Sequence, residues 1–231
     1  MDAQLLPLVA AVAAFILWHV IMAGDRVRGA LVGRLGATRF AGLFSAGALI
    51  TLALAILAYG HAPYSELWDA PTWVRHISLS VMPAACILII AGASTANPST
   101  VGMGGPEAGS VKVVGILTIT RHPLMWGIGL FGLVHMLANG DVASQILFGG
   151  ISVLALLGTL RLDAKKRRVM GRKWEEFESR TSNLPFAAVT AKRVALDLAG
   201  IGWPRVLGGL ALYAVMLFIH GEAFGTVPWR I

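Results

Sequence analysis

Six stretches of this chain run for 15 to 20 residues with hardly a charge among them: Leu5–Ala23, Phe40–Tyr59, Ile77–Ala91, Leu124–Ala138, Val142–Leu160 and Val206–His220. Roughly 20 apolar residues are needed to carry a helix across a bilayer, and inside the hydrocarbon a single segment satisfies its own backbone only as a helix. The pattern therefore predicts an all-α integral membrane protein, with about six transmembrane helices in one bundle and one domain over residues 1–231. The mean hydropathy of +0.72 excludes an ordinary soluble domain.

The charges predict how the segments alternate. If six helices cross in turn, every basic residue except Arg75 and Arg230 falls on one side. By the positive-inside rule that side is the cytoplasm, with both termini outside. The net charge of +7 therefore follows topology and calls for no nucleic acid. No basic stretch precedes the first apolar run, so the first segment is expected to remain as a membrane helix. The single cysteine, Cys86, leaves neither a disulfide framework nor a thiolate metal site.

Between the spans, Asn139-Gly140-Asp141 is a tight connector that predicts an antiparallel hairpin of the fourth and fifth helices. Gly102-Met103-Gly104-Gly105 lacks the preceding strand and closing lysine of a phosphate-binding loop and reads as flexible chain. Over Ala164–Arg180, Met170, Trp174 and Phe177 recur at helical spacing among charges. This predicts a cytoplasmic amphipathic helix after helix five, anchored on the lipid surface.

Candidate chemistry centres on three histidines. His19 and His135 lie at membrane depth, where an imidazole needs a partner. Gly132 and Phe131 share a face with His135, and Phe15 lies one turn before His19. The gap at Gly132 could admit a flat macrocycle or a closely packed neighbouring helix. Two such imidazoles on different helices could be axial ligands of a haem iron, could hold a non-haem metal, or could each bond a neighbouring helix. His122 precedes Pro123, a residue suited to the first helical position. With Arg121 it is expected near exposed N–H groups that favour an anion, such as a cofactor carboxylate or lipid headgroup, or else to cap the helix. By depth alone His19 pairs with His122; the expectation kept here is His19 with His135.

Trp18-His19, Arg39-Phe40, Thr120-Arg121-His122-Pro123-Leu124, His135-Met136-Leu137-Ala138-Asn139-Gly140-Asp141 and Asp163-Ala164-Lys165-Lys166-Arg167 together resemble the NnrU family over nearly the whole length. That family includes the 15-cis-zeta-carotene isomerases of plants and cyanobacteria. The resemblance implies a multi-pass protein of a bacterial inner membrane that binds haem b. Its axial iron ligands would be His19 and His135, with His122, Arg121, Gly132, Phe15 and Phe131 lining the cofactor. It further implies cis–trans isomerisation of a hydrophobic polyene, or a haem-linked role in nitrite and nitric-oxide metabolism. Plant members carry a cysteine just before the second ligand; here Gly132, Leu133 and Val134 stand there.

The rival reading is an S-adenosylmethionine-dependent membrane methyltransferase similar to isoprenylcysteine carboxyl methyltransferase, which also has Arg-His-Pro before a short helix. Asp163-Ala164 replaces the acidic pair of that family's C-terminal motif. A third reading is a non-catalytic haem protein that senses nitric oxide or passes electrons.

Overall fold

A computed structural model describes residues 2–99, 111–226 and 228; Gly102–Gly105 and Arg230 lie outside them. The helices in chain order are α1 (Leu6–Ala23), α2 (Asp25–Leu35), α3 (Ala37–Gly60), α4 (Thr72–Ser94), α5 (Ile116–Ile119), α6 (Pro123–Ala138), α7 (Val142–Met170), α8 (Arg172–Arg180), α9 (Ala187–Thr190) and α10 (Trp203–Phe224). Five of the membrane-length runs, Ala3–Ala23 and helices α3, α4, α7 and α10, are long and apolar enough to cross a bilayer. The sixth expected span, α6, is a shorter apolar helix of 16 residues.

Small residues set the helix contacts, because without them the backbones could not approach closely. Trp18 of α1 lies over Gly47 of α3 and donates its indole N–H to Phe44 O at 3.0 Å. Gly150 of α7 seats Val12 of α1, and Gly129 and Gly132 of α6 seat Leu156 and Ser152 of α7. Gly127 of α6 fits against Ala85 and Ile89 of α4, while Gly209 of α10 lies on Ile87 of α4. The resulting order across the bundle is α3, α1, α7, α6, α4, α10. Helix α7 thus joins an α1–α3 pair to an α4–α6–α10 group.

The hairpin expected at Asn139-Gly140-Asp141 forms, with α6 and α7 packed together. Asp141 caps α7 by accepting from Ser144 N at 3.0 Å, as short acidic side chains do at helix starts. Across the other end of the bundle, Arg205 of α10 donates to Ser94 O at 3.4 Å. The basic residues of α2, α7 and α8 gather at that same end, which we call the basic end. The start of α1 and the finish of α10 lie at the opposite one.

Helix α7, at 29 residues, is about 43 Å long and outruns a hydrocarbon core of about 30 Å. It stops at Gly171, whose φ of 53° few other residues adopt, and α8 sets off in a new direction. The amphipathic segment is therefore divided between two helices. Its apolar face is also not on lipid: Trp174 and Phe177 are fully buried against Leu88, Ala91, Ile116, Leu117, Ile119 and Ile201. The lipid-anchor expectation fails because helical spacing marks a buried face without saying what buries it. In this chain the partner is the protein's own core.

Candidate functional site

The two histidines on the long helices have the same local design. His19 Nδ1 lies 2.8 Å from Phe15 O, and His135 Nδ1 lies 2.7 Å from Phe131 O. A carbonyl oxygen only accepts, so Nδ1 carries the proton in each ring and the lone pair sits on Nε2. Neither Nε2 has a hydrogen bond among the described residues. Aromatic rings hold both imidazoles: Phe15 and Phe44 stand edge-on to His19 at 4.5 and 5.3 Å between centroids. Phe131 and Phe148 flank His135 at 4.2 and 4.7 Å, the latter stacked.

Depth separates them. Gly150 lies beside Val12 and Gly149 beside Met136, so His135 is level with Val12. His19, seven residues further along α1, is about 10 Å nearer the basic end. The side chains reduce this gap. Each Cα–Cβ bond tilts toward its own helix N-terminus, and α1 and α6 run in opposite directions. His19 therefore leans toward the level of His135, and His135 toward that of His19. An anchored ring with a free Nε2 on each side is the donor set an axial pair requires. In donor chemistry each ring suits a haem iron, with α7 standing between the helices that carry the two.

Gly132, offered by sequence as space for a macrocycle or for a neighbouring helix, serves the helix. A side-chain carbon there would come within 2.2 Å of Ser152 Oγ and 2.8 Å of Phe148 O.

A second cluster sits at the basic end. Arg121 directs its guanidinium at Asp163 of α7, with Nε 3.0 Å from Oδ1 and Nη2 2.5 Å from Oδ2. Nη2 also reaches Glu178 Oε1 of α8 at 2.9 Å, and Arg167 binds that carboxylate from outside. His122 Nε2 lies 2.7 Å from Asp163 Oδ1, and Asn183 Nδ2 lies 3.2 Å from Oδ2. Asp163 so receives four donors, which hold it as an anion. Arg121 is 6%, His122 2% and Asp163 3% exposed.

The backbone of Arg121 is fixed as firmly as its side chain. Its carbonyl accepts from Asn97 Nδ2 at 2.8 Å and Ser99 Oγ at 2.6 Å, and its N–H donates to Ser182 O at 2.9 Å. Burial pushes the His122 imidazole below the ordinary histidine range, against the opposing pull of Asp163, whose charge Arg121 already shares. The neutral ring donates from Nε2, and its Nδ1 lone pair is buried without a partner.

Arg121 and His122 thus face the carboxylate of Asp163, a side chain of the protein itself, and bind it through their own side chains. Sequence reading missed Asp163, Glu178 and Asn183 as members of this site. A usable signal existed: an arginine buried at a helix start needs a carboxylate, and Asp163 is the acid of the fifth long segment's final turns. Asp163, Glu178 and Asn183 lie where the methyltransferase reading requires a nucleoside beside Arg121 and His122. The site brings His122 to Arg121 and leaves His19, His135, Phe15, Phe131 and Gly132 in two separate groups nearer mid-bundle.

The family model described as "NnrU protein" matches residues 7–228. Among curated proteins, the chain is similar to "15-cis-zeta-carotene isomerase, chloroplastic" of Arabidopsis thaliana, 34% identical over 82 residues. The match covers 36% of this chain and 22% of that protein, so the chain spans less than a quarter of its relative. No solved structure matches.

Proposed function

From a chain that belongs to the NnrU family, we propose a haem b-binding membrane protein that isomerises a cis double bond in a carotenoid-like polyene. The observation that carries this reading is the matched pair His19 and His135, each with Nδ1–H tied to its own helix and Nε2 free. These two residues would hold the iron. Such a group supplies reversible polarisation of a conjugated double bond, which lowers the barrier to rotation about it.

This chain's own residues bind and orient. Phe15 and Phe44 fix the plane of His19, and Phe131 and Phe148 that of His135. On α6, Leu133, Met136 and Leu137, with Trp68 and Gln145, line an open, almost wholly apolar recess of about 280 Å³ that His135 itself does not line. An apolar wall suits a polyene and gives the nitrite anion nothing to bind. The nitrogen-oxide role is therefore the lesser reading. The basic end would face the cytoplasm of a bacterial inner membrane.

The test is an optical spectrum of protein expressed with a haem supply, oxidised and then reduced. Sharp low-spin bands are expected, and His19→Ala or His135→Ala should each abolish them while His61→Ala leaves them intact. Unchanged low-spin bands in either ligand variant would falsify the pairing. A cis-carotenoid offered to reduced protein in detergent, followed by chromatography of its isomers, tests the activity separately.

A further inference from the structure

The chain between α8 and α10 is too short in helix to span a membrane and too apolar outside to be an ordinary loop. It packs on α5 and is held there by its backbone. Ser182 O accepts from Arg121 N at 2.9 Å, and Phe186 N donates to Ile119 O at 2.8 Å. Asp197 N donates to Thr118 Oγ1 at 3.2 Å, and Asp197 Oδ2 accepts from Gly115 N at 2.9 Å. Ala188 and Ile201 are buried, Ile201 in the core that holds α5, whereas Leu184, Phe186, Leu196 and Leu198 are 44 to 61% exposed. Phe186 also keeps a φ of 64°, a left-handed conformation unfavourable for a bulky residue. Four large apolar side chains left outside, one of them on strained backbone, mark an interaction surface.

The level of this surface identifies what covers it. Helices α4 and α10, of 23 and 22 residues, are each about 34 Å long, against a hydrocarbon core of about 30 Å. Their termini at the basic end are joined, Arg205 Nε donating to Ser94 Oγ at 3.2 Å, so the core ends near Ser94 and Trp203. Gly92 of α4 lies against Leu124 of α6. That contact brings Ile119, Arg121 and the segment bonded to them to the same level. Trp203 is 77% exposed and begins a stripe with Leu207 and Leu210. This is the outward face of a helix long and apolar enough to cross a bilayer. Leu198 precedes Trp203 by one 3-10 turn and a glycine. Charge agrees, because Asp197 is bound by the N–H groups of Gly115 and Gly200. Lys192 and Arg193 remain as the exposed charges of the segment, the sign that an anionic leaflet attracts.

We propose that Leu184, Phe186, Leu196 and Leu198 form a membrane anchor that enters the boundary between headgroups and acyl chains at the basic end. Trp203 lies at that same boundary, the layer in which tryptophan is favoured. Irregular backbone is tolerated there when its polar groups are already bonded to protein, as the N–H groups of Phe186 and Asp197 are. A loop thus does what helical spacing assigns to Trp174 and Phe177. The anchor is independent of haem and of polyene chemistry.

The test places the whole chain in vesicles of phosphatidylcholine and phosphatidylglycerol, with a bimane dye on one introduced cysteine at a time. Cys86 is buried and stays in place, with the parent chain giving its background. Leu184→Cys and Leu198→Cys report on the segment, Leu207→Cys of α10 on lipid, and Glu176→Cys on the exposed side of α8 on water. Two quenchers are compared: iodide in the buffer, and a spin label on the acyl chain close to the headgroup. At both segment positions the lipid label is expected to quench as well as at Leu207→Cys, and iodide about fivefold less than at Glu176→Cys. If either variant folds poorly, Leu196→Cys supplies an independent position. Iodide quenching equal to that at Glu176→Cys overturns the anchor and puts the segment in water. Protection from both quenchers overturns it as well, and assigns the patch to a protein partner.

Discussion

His122 presents Nε2 to Oδ1 of Asp163 at 2.7 Å, joining residues 41 apart in sequence and tying the start of α6 to the final turns of α7. Arg121 grips the same carboxylate with two nitrogens. The two residues just before α6 therefore meet the final turns of α7 at one acid.

Asp163→Ala should destabilise the protein by about 3–5 kcal/mol, because it leaves Arg121 charged and buried without its main partner. Arg121→Leu/Asp163→Leu removes both charges and should recover most of that loss. Thermal unfolding in detergent reads the three proteins side by side; a double variant as unstable as Asp163→Ala would show that the pair is not the cause.

Acid should weaken the fold through His122. Burial holds its folded imidazole below the ordinary value of about 6.5, so the unfolded chain takes up its proton first. Stability is then complete above about pH 6.5 and declines as the pH falls below it, toward the lower folded value. His122→Gln keeps a donor for Asp163 and removes the titration. Its unfolding midpoint should be flatter across pH 5 to 7 than the parent's. Parallel curves would assign the acid sensitivity elsewhere.

Gly132→Val should disrupt the α6–α7 contact. Its new carbon meets Ser152 Oγ and the Phe148 carbonyl, and overpacking of this kind costs about 1–3 kcal/mol or more where backbone stands in the way. Reduced yield of folded protein and a lowered unfolding midpoint are expected. A variant with the parent's midpoint would mean that Gly132 does border open space.

Trp174→Ala is expected to cost about 3–5 kcal/mol, the usual penalty for emptying a buried aromatic site. A lipid-surface anchor would lose membrane affinity and keep its fold. Unfolding and membrane partition, measured together, separate the two roles.

The spans were legible because hydrocarbon demands unbroken apolar runs, and the hairpin because Asn139-Gly140-Asp141 has few other readings. Helix ends were less legible: α4 begins at Thr72 and keeps Pro83 in its interior, since neighbouring helices stabilise turns that composition alone would end. Trp174 and Phe177 were visible as an apolar face, but their partners arrive from α4, α5 and the chain near Ile201, far away in sequence. The same distance hid the Asp163 cluster. His122 and Arg121 announced a need for negative charge, and only the packing of α6 on α7 identifies which residues answer it. The matching design of His19 and His135 was half legible: spacing gave Phe15 and Phe131, whereas Phe44 and Phe148 come from other helices.

The lateral order α3, α1, α7, α6, α4, α10 has a consequence for biogenesis. Helices α1 and α3 can pair soon after leaving the ribosome, and α4 with α6 likewise, but the two pairs share no large contact until α7 arrives between them. His19 and His135 belong to opposite pairs. On the proposed reading, a ligand shared by the two needs α7 in place first, so a nascent chain halted before residue 142 should hold both histidines and yet retain no ligand that needs the two at once.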